Sequence, residues 1–257
     1  MPEQKRLLVI ACEVMARELQ YVAARSPRAV DLVMLSQGLH EVTKPGMARE
    51  IQKAIDAADV ELYDSIALAY ALCNNGVLGI SARSLPVAIP RIHDCIAMLL
   101  GSHARYQQVF DENPGTYFYS PGWVERDQTN MTHQFTTVID DMGTGQSYEE
   151  MVEQYGEDNA AYIWEQLKGG LEHYTRGLYI APPFDVPAGF EQEARRKTEE
   201  QGWEFQRIEG RLDLLEKLLD GDWNPEEFMV LEPGRELAAG DPGSDIFRSS
   251  CGGGCRC

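Results

Sequence analysis

The sequence predicts an α/β protein in which parallel strands alternate with helices in Rossmann-like layers, followed by a flexible C-terminal tail. Short, almost wholly apolar runs such as Arg6-Leu-Leu-Val-Ile-Ala11 are typical of central parallel strands that are covered on both faces. Most of these runs lead into segments with apolar residues at helical spacing, and this alternation favours a parallel sheet with right-handed crossovers. The length of 257 residues and the hydrophobic fraction of 44% allow either one large α/β unit or two closely packed lobes, and we predict the latter.

The first hundred residues contain four predicted strands, each a short apolar run that ends at a turn. Helices are predicted where apolar residues recur at helical spacing, as at Met47, Ile51 and Ile55. In chain order we predict a strand over 6–11, a helix over 13–24, a strand over 29–35, a helix over 46–58, strands over 64–70 and 85–90, and a helix ending at Leu100.

The rest of the chain continues the alternation after one polar, irregular segment over 128–145. Ser147 with Glu150 forms a capping-box pattern, which predicts that a helix begins there. The remaining elements are predicted as helices over 102–110, 158–174, 190–201 and 212–219, and as strands over 114–119, 176–181, 203–208 and 227–231. We therefore predict an α/β lobe over 1–125, a helical and α/β lobe over 126–232, and a flexible Cys- and Gly-rich tail over 233–257.

The composition argues against several classes of partner. Lys and Arg total 23 against 41 Asp and Glu, and the net charge of -18 repels phosphate backbones and anionic membrane surfaces. No run approaches the roughly 18 apolar residues of a membrane span, and no signal-peptide core precedes the first strand. We therefore expect a cytoplasmic protein that binds neither nucleic acid nor membranes. Its six cysteines should then remain thiols, which are more often buried, catalytic or metal-bound than paired in disulfides.

Three cysteines follow three predicted strands. Cys12, Cys73 and Cys95 each lie at or just beyond a carboxyl end, which is where open parallel sheets bind ligands. Three thiolates can hold a 4Fe–4S cluster or a zinc ion and leave one position open for substrate, whereas a purely structural site usually closes all four positions. The alternative is that the three are core residues, because cysteine is among the most often buried residue types.

Polar side chains next to these cysteines are candidate catalytic and binding residues. Glu13 is the favoured proton carrier, and its alternative role is a carboxylate in the first turn of a helix. His93 and Asp94 are further catalytic candidates, although Asp94 is also suited to capping the helix that follows. Arg91 and His40 are candidate substrate-binding residues, and a lone arginine more often anchors a loop.

The C-terminus carries a second group of thiols. Cys251, Cys255 and Cys257 form a C-x3-C-x-C pattern among glycines, which a thiophilic metal could use with little steric hindrance. The alternatives are a redox-active tail or a terminus that tolerates cysteine without using it.

Several short motifs resemble a known family. They are Ala11-Cys-Glu13, Tyr70-Ala-Leu-Cys-Asn-Asn-Gly76, Pro90-Arg-Ile-His-Asp-Cys95, Leu100-Gly-Ser102, Pro114-Gly-Thr-Tyr117, Gly122-Trp123, Leu212-Asp-Leu-Leu215, Gly221-Asp-Trp223 and Pro233-Gly234. Together they cover most of the chain, which resembles a prokaryotic family catalogued as domain of unknown function 1638 (DUF1638). The resemblance implies no settled activity. It implies a setting in anaerobic one-carbon metabolism, with a corrinoid protein or a methyltransferase as a partner.

Three hypotheses follow from the sequence. The first is an enzyme with a three-cysteine centre that binds a small polar substrate, using a cluster for Lewis-acid elimination or sulfur removal, or zinc for thiol activation in methyl transfer. The second is a metal or cofactor carrier that uses the C-terminal thiols. The third is an interaction protein whose cysteines are structural.

Overall fold

The computed structural model of the protein describes residues 5–36, 46–73, 75–129, 157, 173–240 and 246–251. The chain forms two compact units, one built from Met1–Tyr106 with Gly210–Cys257 and the other from Gln107–Glu209. These bounds differ from the predicted boundaries after residues 125 and 232, because the chain returns to the first unit after completing the second.

The secondary structure of the described residues alternates between strands and helices. The strands are β1 Arg6–Cys12, β2 Val30–Leu35, β3 Tyr63–Ala69, β4 Val87–Pro90, β5 Thr116–Tyr119, β6 Arg176–Ala181, β7 Glu204–Glu209, β8 Phe228–Leu231, β9 Arg235–Ala239 and β10 Phe247–Cys251. The helices are α1 Ala16–Ala23, α2 Gly46–Asp56, α3 Ile96–Leu100, α4 His103–Glu112, α5 Pro121–Thr129, α6 Gly189–Glu200 and α7 Asp213–Asp220, with a short 3-10 helix over Glu13–Met15 before α1.

The first unit is built on a five-stranded sheet with the order β2-β1-β3-β4-β8. The first four strands are parallel, as predicted, and β1, β3 and β4 are almost wholly buried because helices cover the sheet. The prediction of a further parallel strand is wrong for β8, which pairs antiparallel with β4 at the edge of the sheet. The α/β class with mainly parallel pairing is confirmed.

Two helices pack side by side on this sheet. Helix α1 contacts β2 and α7, and α7 contacts β3 and β4. The buried face of α7 consists of four leucines, Leu214, Leu215, Leu218 and Leu219, at the spacing that places residues on one side of a helix. This packing fixes the strands whose carboxyl ends carry the cysteines.

Part of the predicted flexible tail is a β-hairpin. Strands β9 and β10 pair antiparallel, and the inward side chains Leu237 and Phe247 are fully buried. Backbone hydrogen bonds also join β9 to residues 79–82, which extends the pairing to a third segment. The prediction of a flexible tail is therefore wrong for the residues of this hairpin, because two apolar side chains gain enough burial to order them.

The second unit has a parallel sheet with the order β5-β6-β7. Its core includes Tyr119, Tyr179 and Phe190, packed with smaller residues from α5 and α6. Helix α5 is not among the elements predicted from the sequence. Proline is well suited to the first position of a helix, and the Ser120 hydroxyl accepts a hydrogen bond from the Trp123 amide at 3.3 Å.

Some predictions lie outside the described residues. They are His40, Cys255 and Cys257, the capping-box pair Ser147 and Glu150, and the helix predicted over 158–174 except its last two residues, which are not helical. Within the described ranges, the helices are all too short or too polar to cross a lipid bilayer.

Candidate thiol site at the sheet edge

The three predicted cysteines follow three adjacent parallel strands. Cys12 is the last residue of β1, and Cys73 and Cys95 lie in the segments that follow β3 and β4. Strand β3 pairs with β1 on one side and with β4 on the other. All three cysteines therefore lie at the same edge of the sheet, and none of them is in a disulfide.

This edge includes the point where the strand order reverses. The chain passes from β1 to β2 on one side and then crosses to β3 on the other side of β1. The segments that leave β1 and β3 therefore diverge, and such a crevice is where open α/β sheets bind ligands. Cys12 and Tyr70 are at this switch point, and Cys73 follows closely.

The segments that follow β3 and β4 are hydrogen-bonded to each other beyond the ends of the strands. The Leu72 amide donates to the Ile92 carbonyl at 3.0 Å, and the Cys73 amide donates to the His93 carbonyl at 3.2 Å. These two hydrogen bonds hold the segment that carries Cys73 against the segment that leads into the turn containing Cys95. The sequence predicted turns here and did not indicate this contact between them.

Cys73 has an unusual backbone conformation. Its φ angle is 45°, in the left-handed region that residues other than glycine, asparagine and aspartate rarely adopt. The turn closes with a 2.9 Å hydrogen bond from the Gly76 amide to the Cys73 carbonyl. A Cβ atom on Gly76 would lie 2.7 Å from Met47 Sδ and 2.9 Å from that carbonyl oxygen, so only glycine fits the turn as it stands. Such backbone strain concentrates at functional sites.

The thiols of Cys73 and Cys95 are held in the protonated form. Burial of the thiol is the main cause that raises the pKa of Cys73 to about 12, and the nearby charges of Asp94 and ionised Cys12 add to it. Burial also raises the pKa of Cys95, as do the charge of Asp94 and the ionised forms of the other two cysteines. An ionised Cys12 thiol thus disfavours ionisation of both other thiols, and an ionised Cys73 thiol disfavours ionisation of Cys95.

Tyr70 is a site residue that the sequence analysis missed. The residue directly follows β3 and is only 1% exposed. Its hydroxyl is buried, and no described residue forms a hydrogen bond with it. Burial raises the pKa of Tyr70, and the ionised forms of all three cysteines and of Glu13 raise it further. The signal in the sequence was a tyrosine, with its polar tip, at the end of an otherwise apolar strand.

The two candidate carboxylates occupy different positions. Glu13 is half-buried in the 3-10 helix that follows Cys12, and its charge contributes to the raised pKa of Tyr70. Asp94 accepts a hydrogen bond from the Ile96 amide at 2.8 Å, which is the capping role proposed as its alternative. It also accepts a hydrogen bond from the Cys95 thiol, so the cap is part of the thiol site.

The basic candidates are less closely connected with the thiols. Arg91 donates through Nε to the carbonyls of Pro225 and Phe228, at 3.0 Å and 3.2 Å, and through Nη1 to that of Phe247 at 3.2 Å. This is the loop-anchoring role. The side chain of His93 is exposed, and its ring centroid is 6.1 Å from that of His103. Burial and the neighbouring His93 lower the pKa of His103.

Among the described residues, no group of three or more His, Cys, Asp or Glu side chains is spaced to hold a metal ion. The backbone of Cys251 pairs with that of Arg235 at the end of β10, while its side chain and the rest of the C-terminal group lie outside the description. The donor chemistry of the thiol site suits soft metals, because thiolates prefer them.

The second unit has a cavity of its own. A cavity of about 220 Å³ opens beyond the carboxyl end of β6 and is lined by Tyr179 and Asp185, among others. Arg207 at this cavity pairs with Glu191 at 3.1 Å. None of the candidate site residues predicted from the sequence lines this cavity.

Comparison with protein families gives one clear result. Residues 34–219 match a family described as protein of unknown function, DUF1638. The chain belongs to the DUF1638 family. The matched span contains Tyr70, Cys73 and Cys95, and Cys12 precedes it. No curated protein matches this DUF1638 chain, so its role has to be argued from the thiol site.

Proposed function

We propose that this DUF1638 protein is an enzyme that binds a 4Fe–4S cluster through Cys12, Cys73 and Cys95 and leaves one iron open to a small polar substrate. The observation that carries the proposal is the position of three thiols after three adjacent parallel strands, at the sheet edge that includes the strand-order switch point. We further propose that the sheet is Rossmann-like in this functional sense, with its crevice used for the cofactor.

We favour a cluster over a single zinc ion for this site. All ligands of one zinc ion lie about 2.3 Å or less from it, so their donor atoms must crowd together. Thiolates on a cluster bind different iron atoms and stand farther apart. The described residues contain no group spaced for a single ion, yet the three cysteines influence one another's ionisation. Zinc remains the alternative metal.

The raised thiol pKa values are compatible with this proposal. Burial holds Cys73 and Cys95 in the neutral form when the site carries no cation. A bound metal centre reverses that preference, because a coordinating thiol is deprotonated outright and its proton is released. Loading of the site should therefore depend steeply on pH.

The residues at this site would then have separate roles in the reaction. An iron atom without a protein ligand acts as a Lewis acid on a bound substrate group. The thiolates of Cys12, Cys73 and Cys95 hold the centre, and Glu13 accepts or returns a proton at its carboxylate. Asp94 fixes the turn that carries Cys95 through its bond to the Ile96 amide.

The proposed setting is the cytoplasm of an anaerobic cell, in one-carbon or sulfur metabolism, with a corrinoid protein or methyltransferase as a partner. This part of the proposal rests on family resemblance. The rival functions are a metal carrier that uses the C-terminal thiols and an interaction protein whose cysteines are structural.

Anaerobic reconstitution with ferrous iron and sulfide tests the proposal. After removal of unbound iron, the wild-type chain should retain about four irons and four acid-labile sulfides and show a brown charge-transfer spectrum. Cys12→Ser, Cys73→Ser and Cys95→Ser should each lose most of the iron. The matched control replaces Cys251, Cys255 and Cys257 by serine and should retain it.

The results separate the three functions. Iron that is lost only with the C-terminal thiols would support the carrier. A protein that is colourless and free of iron and zinc after anaerobic purification and reconstitution would leave the cysteines as structural residues. Zinc bound in place of iron, and lost in the same three single variants, would keep the site and change the metal.

A further inference from the structure

We infer that the Tyr70 hydroxyl donates a hydrogen bond to the small molecule that binds at the thiol site, so Tyr70 is a ligand-binding residue of that site. The inference rests on the proposed function and deepens it. It states which group of the chain meets the ligand and which kind of ligand atom that group selects.

The buried hydroxyl of Tyr70 lacks a hydrogen-bonding partner within the described part of the chain. Tyr70 is 1% exposed, and its oxygen has no hydrogen-bonding partner among the described residues. A buried polar group without a partner destabilises a fold, and native proteins keep few such groups. Phenylalanine would fill the same volume without this penalty. A ligand that supplies the missing acceptor accounts for the hydroxyl.

The second argument is the position of the hydroxyl. Tyr70 directly follows β3, between the strand ends that lead to Cys12 on β1 and to Cys95 beyond β4. A molecule that binds beyond the carboxyl ends of β1, β3 and β4 therefore lies beside the residue that follows β3, the central strand of the three. The ionised forms of the three cysteines and of Glu13 also raise the pKa of its hydroxyl, in agreement with this position.

The third argument concerns the direction of the bond. Burial and the surrounding acidic groups raise the pKa of Tyr70, so the phenol keeps its proton and acts as a donor. The complementary ligand atom is an acceptor, such as a thiolate, a thiocarbonyl sulfur or a carboxylate oxygen. An ammonium group would offer only further donors and would leave the phenol proton without a partner.

The test compares Tyr70→Phe with wild type after anaerobic reconstitution, using 2-mercaptoethanol as the probe thiolate. Both proteins should hold the same amount of iron, because the hydroxyl is not a ligand of the centre. The dissociation constant of the probe, followed by the change in the visible spectrum, should rise about tenfold or more in Tyr70→Phe, since a hydrogen bond to a charged acceptor is lost.

The matched control is Tyr63→Phe. Tyr63 begins the same strand at its opposite end, and its hydroxyl interacts with Asp31. This variant should bind the probe as wild type does. Equal probe affinity in wild type and Tyr70→Phe, with equal iron content, would overturn the inference and leave the centre standing. Absence of iron from the wild type would instead overturn the proposed function.

A second measurement tests Tyr70 without any metal. In the metal-free protein, Tyr70→Phe should raise Tm by about 2–4 °C, because it removes a buried hydroxyl that has no partner. Tyr63→Phe should show no such gain, because its hydroxyl has a partner. A metal-free Tyr70→Phe protein that is less stable than wild type, or fails to fold, would show that the hydroxyl is needed by the fold itself and would overturn the inference.

Discussion

Cys73 should react with a disulfide reagent at pH 8 far more slowly than an unconstrained cysteine. Its pKa rises from 9.0 to about 12, so the thiolate fraction at pH 8 falls about 1,000-fold. A thiolate of higher pKa is intrinsically more nucleophilic, with a Brønsted coefficient of about 0.4–0.5, so a pKa difference of about three units returns roughly 20- to 30-fold in rate. The net expectation is a rate about 30- to 50-fold below that of a free cysteine, before any steric hindrance.

The assay uses a background in which Cys251, Cys255 and Cys257 are serine, so that only the three site thiols can react. The protein is treated with 4,4′-dithiodipyridine between pH 7 and pH 10, and the product is located by mass spectrometry of peptides. The rate at Cys73 should rise about tenfold per pH unit across this range, because the thiolate fraction does. The same chain unfolded in urea supplies the reference rate at each pH.

Two results would refute this reasoning. One is a folded-state rate at pH 8 equal to that of the unfolded chain. The other is a rate that levels off between pH 8 and pH 10, which would mean that Cys73 ionises in the ordinary range. Burial could not then dominate the ionisation of this thiol.

Two further predictions concern stability. Gly177→Ala should destabilise the second unit by about 1–3 kcal/mol in a urea titration, because the new Cβ would lie 2.1 Å from Thr198 Oγ1. The control Gly189→Ala should be neutral in the same titration, because its Cβ would meet nothing within 4 Å. The unfolded chain releases the thiol protons from about pH 9 while the folded chain holds that of Cys73 to about pH 12, so the free energy of unfolding should fall over this interval. Urea midpoints that stay constant from pH 8 to pH 11, or that fall equally in Cys73→Ser, would contradict it.

The sequence predicted those parts of the fold that local patterns determine. Strands β1, β3 and β6 are apolar runs that only a doubly covered sheet can bury, and they form close to the predicted positions. The antiparallel direction of β8 relative to β4 was not predictable in this way, because an apolar run has the same pattern in a parallel and an antiparallel strand. The β9–β10 hairpin was missed because its two buried side chains, Leu237 and Phe247, stand among glycine and polar residues.

The site was predicted in its outline and missed in its detail. Cysteine after a strand is a local signal, so the shared edge of Cys12, Cys73 and Cys95 follows from parallel pairing alone. The roles of Asp94 and Arg91 depend on which backbone groups the fold brings near them, and a sequence does not display those contacts. Tyr70 was missed because a tyrosine at a strand end usually fills a core.

The backbone at Cys73 has a consequence for redesign of the turn. An L-residue at a φ of 45° has a higher conformational energy than glycine, because glycine has no Cβ to crowd the preceding carbonyl. Replacement of Cys73 by glycine should thus relax the turn while deleting the sulfur, whereas alanine keeps the strain and deletes the sulfur as well. The difference in folding free energy between these two variants therefore measures the backbone strain energy that accompanies a side chain at position 73.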